Sequence, residues 1–173
     1  IQEGHDPILI GIGVNTGKMM LGTLGESDRM EGSVISDAVN LAARLEGLTK
    51  LYKTPLLLSE ETLLKIEDSI FDTRLIDKVA VKGKEKPVMV HEVLNGESPD
   101  LRDVKISTLS NFNKGLELYQ NQQFENALAL FTKCIEKVPE DGVAELYVER
   151  CKKLISSGWD TETWDGINYM DNK

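Results

Sequence analysis

The stretch "SVISDAVNLAARLE", Ser33 to Glu46, decides how this chain is read. It opens as a short β run. From Asp37 onward, Val39, Leu41, Ala42 and Leu45 recur at the helical period, so a helix is predicted over 37–50, with Gly47 weakening its end. Asn40 and Arg44 stand four apart on that helix and share one face, in otherwise apolar or small company. An amide and a guanidinium converging on one spot suit a ligand whose negative charge grows during reaction, such as a phosphoryl group. The plainer alternative is a salt bridge from Arg44 to Glu46 or a neighbour, with Asn40 capping something local.

Outward from this helix, strand and helix signals alternate. "PILIGIGVN" (7–15) is a β run, with Ile8, Ile10, Ile12 and Val14 on one face and Leu9, Gly11 and Gly13 on the other. "TGKMMLGTLGE" reads as a turn and a second extended segment, and "MEGSVI" (30–35) as a short strand. "TPLLLSEETLLKI" is a strand and then a short helix. Ser59 suits its N-cap, Glu60 and Glu61 fall in its first turn, and Thr62 at the third helical position leaves the capping box incomplete. Residues 71–94 are two alternating β runs around "KGKEKP", a hairpin.

The glycines of "GIGVNTG" are spaced G-x-G-x-x-x-G, which fits neither the dinucleotide fingerprint nor the Walker loop, and Asn15-Thr16-Gly17 reads as a turn. His5 and His91 have no cysteine or carboxylate at metal-ligand spacing and are read as structural.

Composition changes near residue 100. "NGESPDLRD" (95–103) gathers Gly, Pro, Ser and Asp and reads as a linker; helices are predicted beyond it at about 105–120, 123–137 and 142–157. The expected division is 1–96, a linker over 97–104, helices over 105–158, and a tryptophan-bearing tail over 159–173 that packs onto something.

The chain has 173 residues and a net charge of −9, which argues against nucleic acid or an anionic membrane surface as a partner. Hydrophobic residues make up 40% and charged residues 28%, the globular range. Two cysteines, Cys134 and Cys151, without disulfide or CxxC spacing, fit a reducing, cytoplasmic setting. No apolar run is long enough to span a membrane.

Taken in order, "IGIGVNTGKMMLGTLG", "SVISDAVNLAARLE", "LLLSEETL" and "VAVKGKEKPVMVHEV" resemble the C-terminal half of the class III adenylate/guanylate cyclase catalytic domain, over about residues 7–94. The fold class this implies is α+β: the C-terminal half of a ferredoxin-like cyclase domain, followed by an all-α helical hairpin. The resemblance implies conversion of ATP to cyclic AMP and pyrophosphate in intracellular signalling. It casts Asn40 as the residue orienting the ribose, Arg44 as the transition-state arginine at the α-phosphate, Ser33 as a purine-reading residue, and Lys84 (or Lys82) as the lysine reaching the phosphates. The hydroxyl of Ser33 is nearer the Thr of many bacterial adenylate cyclases than the Cys of guanylate cyclases. Asp37 matches an aspartate before the family's helix and is read as a local cap or interface residue. The glycines of "GIGVNTG" would let a strand and its turn pack beside a dimer partner.

The chain departs from the family pattern at Gly32, where an aromatic is frequent, and at Ser36, where Gly is frequent. The family's sites form between two protomers, so a second cyclase protomer is an expected partner. Its Mg2+ or Mn2+ ligands lie in the N-terminal half, upstream of Ile1. The chain is thus expected to be a fragment with no metal ligands, inactive by itself, whose parent could be tethered to a membrane upstream. The alternative is a non-catalytic cyclase-like module that acts as a scaffold through its helices. Residues 111–139 resemble a single tetratricopeptide repeat through Gly115, Phe124, Ala127, Phe131, Cys134 and Pro139, although Asn111 and Leu118 stand where the repeat prefers Trp and Tyr. One repeat needs something to dock on, so the helices should pack on the cyclase part, a second copy or another protein.

Overall fold

A computed structural model describes residues 9–26, 29–66, 70–80, 86–158 and 164–169, giving the backbone alone for 23–26 and 29–35. The elements run β1 (Ile12–Val14), β2 (Met20–Glu26), β3 (Arg29–Ile35), α1 (Asp37–Tyr52), β4 (Leu56–Ser59), α2 (Glu60–Leu63), β5 (Thr73–Ala80) and β6 (Val88–Val93). After a 3-10 turn at Leu94–Gly96 come α3 (Pro99–Ile106), α4 (Leu109–Gln120), α5 (Phe124–Lys137), α6 (Gly142–Ser157) and β7 (Asn168–Tyr169). The α+β class holds.

Five strands form one sheet in the order β1-β4-β6-β5-β7, and β2 and β3 pair separately as an antiparallel ribbon. β5 and β6 form the predicted hairpin, antiparallel from Thr73↔Val93 to Val79↔Val88. β1 lies parallel to β4 at a sheet edge, with Ile12↔Leu56 and Val14↔Leu58 in register. Strand alternation turns Gly11 and Gly13 inward and leaves Ile10 (70% exposed) and Ile12 (49% exposed) outward.

One face of the sheet carries the core. Leu41, Leu45 and Tyr52 of α1 share a continuous buried cluster with Leu57, Ile76, Val79 and Val90 of the sheet and with Phe112, Phe131, Tyr147 and Cys151 of the later helices. The helices after residue 100 therefore dock on the sheet and are no free-standing hairpin. Gly115 makes room for Phe131, whose ring would lie 3.1 Å from an added Cβ. Phe131 in turn stacks on Tyr147 at 4.8 Å. Cys134 and Cys151 are buried, and burial pushes their thiols up to about 11 and about 12, so both are core residues.

The expected linker is corrected. Residues 97–104 fall largely in α3, where Ser98 accepts from the Leu101 N–H as N-cap and Pro99 opens the first turn. The Ser-Pro pair that reads as a loop is also a helix start, because Pro at the first position lacks only an N–H that has no helical acceptor. α3 then buries Lys105, which reaches Glu92 at 2.8 Å and Glu97 at 2.6 Å. Glu92 also meets Arg74, its neighbour across the β5–β6 pair, at 2.5 Å, and Arg74 lies 4.2 Å above the Phe112 ring. A buried charge needs such partners, since each ion loses its hydration.

The tail packs as expected at Trp164, whose ring meets Tyr119 and Phe124 edge-on at 5.3 and 5.0 Å and whose Nε1 donates to the Gln120 carbonyl. Beyond it β7 adds a short parallel strand to β5, with Val79↔Asn168 in register. Trp159 and His5 lie outside the described residues.

Candidate functional site

The site is built on α1. Ser36 caps the helix, its hydroxyl accepting from the Ala38 and Val39 N–H groups at 3.1 and 3.3 Å. The cap is thus Ser36; Asp37 stands one place inside, exposed, where its charge suits the positive end of the helix dipole. The departure from the family's Gly at this position is a stronger N-cap. The helix runs through Gly47 to Tyr52 and ends where Lys53 takes the left-handed conformation at φ 49°.

The face of α1 toward the sheet carries Leu41, Leu45, Thr49 and Tyr52. Asn40 is exposed and Arg44 half-buried. The face that looked buried from its apolar neighbours is therefore the rim of the helix, with Asn40 exposed and Arg44 half-buried four residues apart on it.

The close approach of α1 to β1 sets its position. A Cβ on Gly13 would fall 2.2 Å from the Glu46 nitrogen and 2.4 Å from the Ala42 carbonyl oxygen, and one on Gly11 would fall 2.0 Å from Thr49 Oγ1. One on Gly17 would come within 2.5 Å of the Ala38 Cβ. The glycines of "GIGVNTG" thus seat the chain's own α1.

Asn15 ties the same corner together. Its Nδ2 donates to the Ala38 carbonyl at 3.0 Å, and its Oδ1 accepts from the Ser59 hydroxyl at 2.6 Å. Ser59 also caps α2 through the Thr62 N–H, as predicted. Sequence reading took Asn15 for a turn residue and missed this role; partners 23 and 44 residues away leave no local signal.

Of the other expected site residues, Ser33 lies in β3 opposite Gly22, with its backbone alone described. The structure thus puts Ser33 on the ribbon that leads directly into α1. Lys82 and Lys84 lie outside the described residues. His91 is buried, its Nε2 has no hydrogen-bond partner among the described residues, and burial lowers its pKa. Among the described residues no group of three or more His, Cys, Asp or Glu side chains is placed to hold a metal ion, and no helix is long and apolar enough to cross a membrane.

Residues 1–95 match the family described as the adenylate and guanylate cyclase catalytic domain. The chain belongs to that family. It is 41% identical over 149 residues to "Adenylate cyclase, terminal-differentiation specific" of Dictyostelium discoideum, covering 85% of this chain and 7% of that protein. It is 43% identical over 94 residues to "Adenylate cyclase" of Anabaena cylindrica, covering 53% of this chain and 19% of that protein. Among solved structures, the adenylyl cyclase CyaB from P. aeruginosa is 34% identical, with a TM-score of 0.45, over 53% of this chain and 45% of that one. The chain spans a small part of the length of both curated relatives. The likeness to the Dictyostelium protein is too long to fit within residues 1–95, so it continues from the cyclase part into the helices that follow.

Proposed function

We propose that this chain supplies the ribose-orienting and transition-state groups of a class III cyclase that converts ATP to cyclic AMP and pyrophosphate. The observation that carries the reading is that Asn40, exposed, and Arg44, half-buried, stand four residues apart on a helix whose opposite face is locked to the sheet. An amide and a guanidinium on a rigid support match a reaction in which a ribose hydroxyl attacks the α-phosphorus and charge builds on the phosphoryl oxygens.

In this reading Asn40 holds the ribose so that its 3′-hydroxyl lies in line. Arg44 donates to the α-phosphate oxygens as pyrophosphate departs. Ser33 meets the purine from β3, and Lys84 (or Lys82) reaches the phosphates from the β5–β6 hairpin. The names of the relatives support adenine, since both the Dictyostelium and Anabaena proteins are called adenylate cyclases. A divalent cation, Mg2+ or Mn2+, would neutralise the triphosphate and favour the attacking alkoxide. In this reading the chain's own part is orientation and charge stabilisation, and the metal ligands belong to the rest of the intact protein. A second cyclase protomer would complete the site, and α4–α6 would serve as a tetratricopeptide-like unit seated on the catalytic part.

The test is turnover of ATP and GTP by the full-length protein and its Arg44→Ala variant. Loss of one positioned charge-stabilising donor should lower kcat by about a hundred- to a thousand-fold while leaving the fold intact. Equal turnover by both proteins, or a preference for GTP, would refute the assignment or its choice of base respectively.

A further inference from the structure

Asp77 gathers three separate elements onto one buried carboxylate. Tyr52, the last residue of α1, donates its hydroxyl to Oδ2. Arg150 of α6 donates to the same oxygen at 2.8 Å. Asn168 of β7 donates to Oδ1 at 2.6 Å, where the Lys78 backbone N–H also donates at 2.7 Å. The Asp77 side chain is 1% exposed. The Arg150 guanidinium also lies over the rings of Tyr52 and Tyr147, at 5.9 and 5.0 Å, and the Tyr147 hydroxyl donates to the Ile76 carbonyl at 2.8 Å.

Asp77 reaches this position through a bulge. Plain alternation along β5 would put Asp77 on the face of Leu75, opposite Arg74. The β5–β6 register shifts between Leu75 and Asp77, so that Leu75 stands opposite His91 but Asp77 opposite Val90. Val90 shares its side with Glu92, the partner of Arg74, and the extra residue therefore brings Asp77 to the helix-covered side. Bulges re-aim a side chain in this way at the cost of regular pairing.

The consequence falls on α1. A helix is stiff, and Arg44 stands eight residues before Tyr52, about two turns or ~12 Å along the axis. The glycines and Asn15 fix how near α1 lies to β1. The Tyr52–Asp77 bond at the far end fixes its rotation, and Arg150 and Asn168 hold the carboxylate that receives that bond. A second tie joins α1 to α6 at the same end, where Lys53 meets Glu145 at 2.6 Å.

We propose that Asp77 is a positioning residue for the cyclase reaction, through which α6 and the segment 164–169 set the rotation of α1 and so the pose of Asn40 and Arg44. The proposal rests on the cyclase reading of those two residues. It makes the helical appendage part of the catalytic machinery's support, so that a partner bound to the appendage would act on turnover through Arg150 and Asp77.

The experiment uses the full-length protein with Tyr52→Phe, Arg150→Met, both together, and Lys114→Ala as a control on an exposed α4 ion pair. Tyr52→Phe keeps the buried ring and removes one hydroxyl, so folding survives. Each single variant should lower kcat about 2- to 30-fold, with KM within about twofold, as for a group that acts only on the transition-state pose. The double variant should lose no more than the worse single one, because both act through one carboxylate. Lys114→Ala should match the wild type. Amide hydrogen exchange supplies a readout independent of chemistry: Arg150→Met, on α6, should speed exchange in residues 41–48 of α1 more than in α4. A folded Tyr52→Phe protein with wild-type kcat, losses that multiply in the double variant, or unaltered α1 exchange would each overturn the proposal. A wild-type protein that forms no cyclic nucleotide would instead overturn the cyclase reading, and exchange alone would then decide whether α6 governs α1.

Discussion

Arg74 and Asp141 meet through two parallel N–H···O bonds, Nη1 to Oδ2 at 2.8 Å and Nη2 to Oδ1 at 2.6 Å, with both side chains fully buried. Arg74 belongs to β5, inside the cyclase match, and Asp141 is the N-cap of α6, where its Oδ1 also accepts from the Ala144 N–H at 3.2 Å. One fork of hydrogen bonds therefore fastens the appendage to the catalytic part and starts the helix that reaches Asp77.

Asp141→Ala should destabilise the protein strongly. It takes one of two carboxylates from the buried Arg74 guanidinium among the described residues, leaving Glu92, and strips the cap from α6. Breaking a buried pair from one side costs about 3–5 kcal/mol. Denaturant unfolding of the variant against wild type measures this. Glu145→Ala removes the exposed pair with Lys53 and should cost far less in the same measurement.

The same carboxylate shapes the acid limb of stability. Burial opposes ionisation of Asp141, but the hydrogen bonds and charge of Arg74, with the nearby Lys105 and the Ala144 N–H, outweigh it and hold the carboxyl below its ordinary 3.8. The folded value is depressed, so this contribution is fully present above 3.8 and is lost as pH falls through the folded value. Thermal melts across that acid range should show a shallower decline for Asp141→Asn than for wild type, from a lower starting stability.

Two glycines beside or within α1 should respond in opposite ways to alanine. At Gly13 the new methyl would meet backbone atoms of α1 at 2.2 and 2.4 Å, which cannot rotate away, so Gly13→Ala should displace the helix and lower both stability and turnover. At Gly47, within α1, an added Cβ meets no atom of the described residues within 4 Å. Gly47→Ala should stabilise by about 0.4–1 kcal/mol by restricting the unfolded chain. Melting temperatures of the two variants read this contrast.

Trp164→Ala should loosen the segment that carries Asn168 to Asp77. The ring is half-buried against Tyr119 and Phe124, so the expected loss is about 1–3 kcal/mol, toward the upper part of the usual range for single substitutions. Limited proteolysis should then cut first around residues 164–169, while the far-ultraviolet spectrum stays helical.

The sequence by itself determined the local elements and the family. Periodicity marked α1, the β5–β6 hairpin and the three later helices, because alternation and the 3.6-residue repeat are written in the order of apolar residues. Asn40 and Arg44 were legible for the same reason: their shared face follows from helix geometry. What the tertiary structure alone decided lies in long-range contacts and irregularities. The seat of Gly13 against Ala42 and Glu46, the bonds of Asn15 to Ala38 and Ser59, and the docking of α6 on the sheet join residues distant in the chain. The bulge that turns Asp77 inward broke the alternation on which a strand reading relies. The Ser98-Pro99 pair could serve a loop or a helix start equally well, and only the burial of Lys105 among carboxylates selected the helix. Pattern reports what a segment is; which segments meet depends on the free energy of burying their faces together, and that is a property of the whole chain.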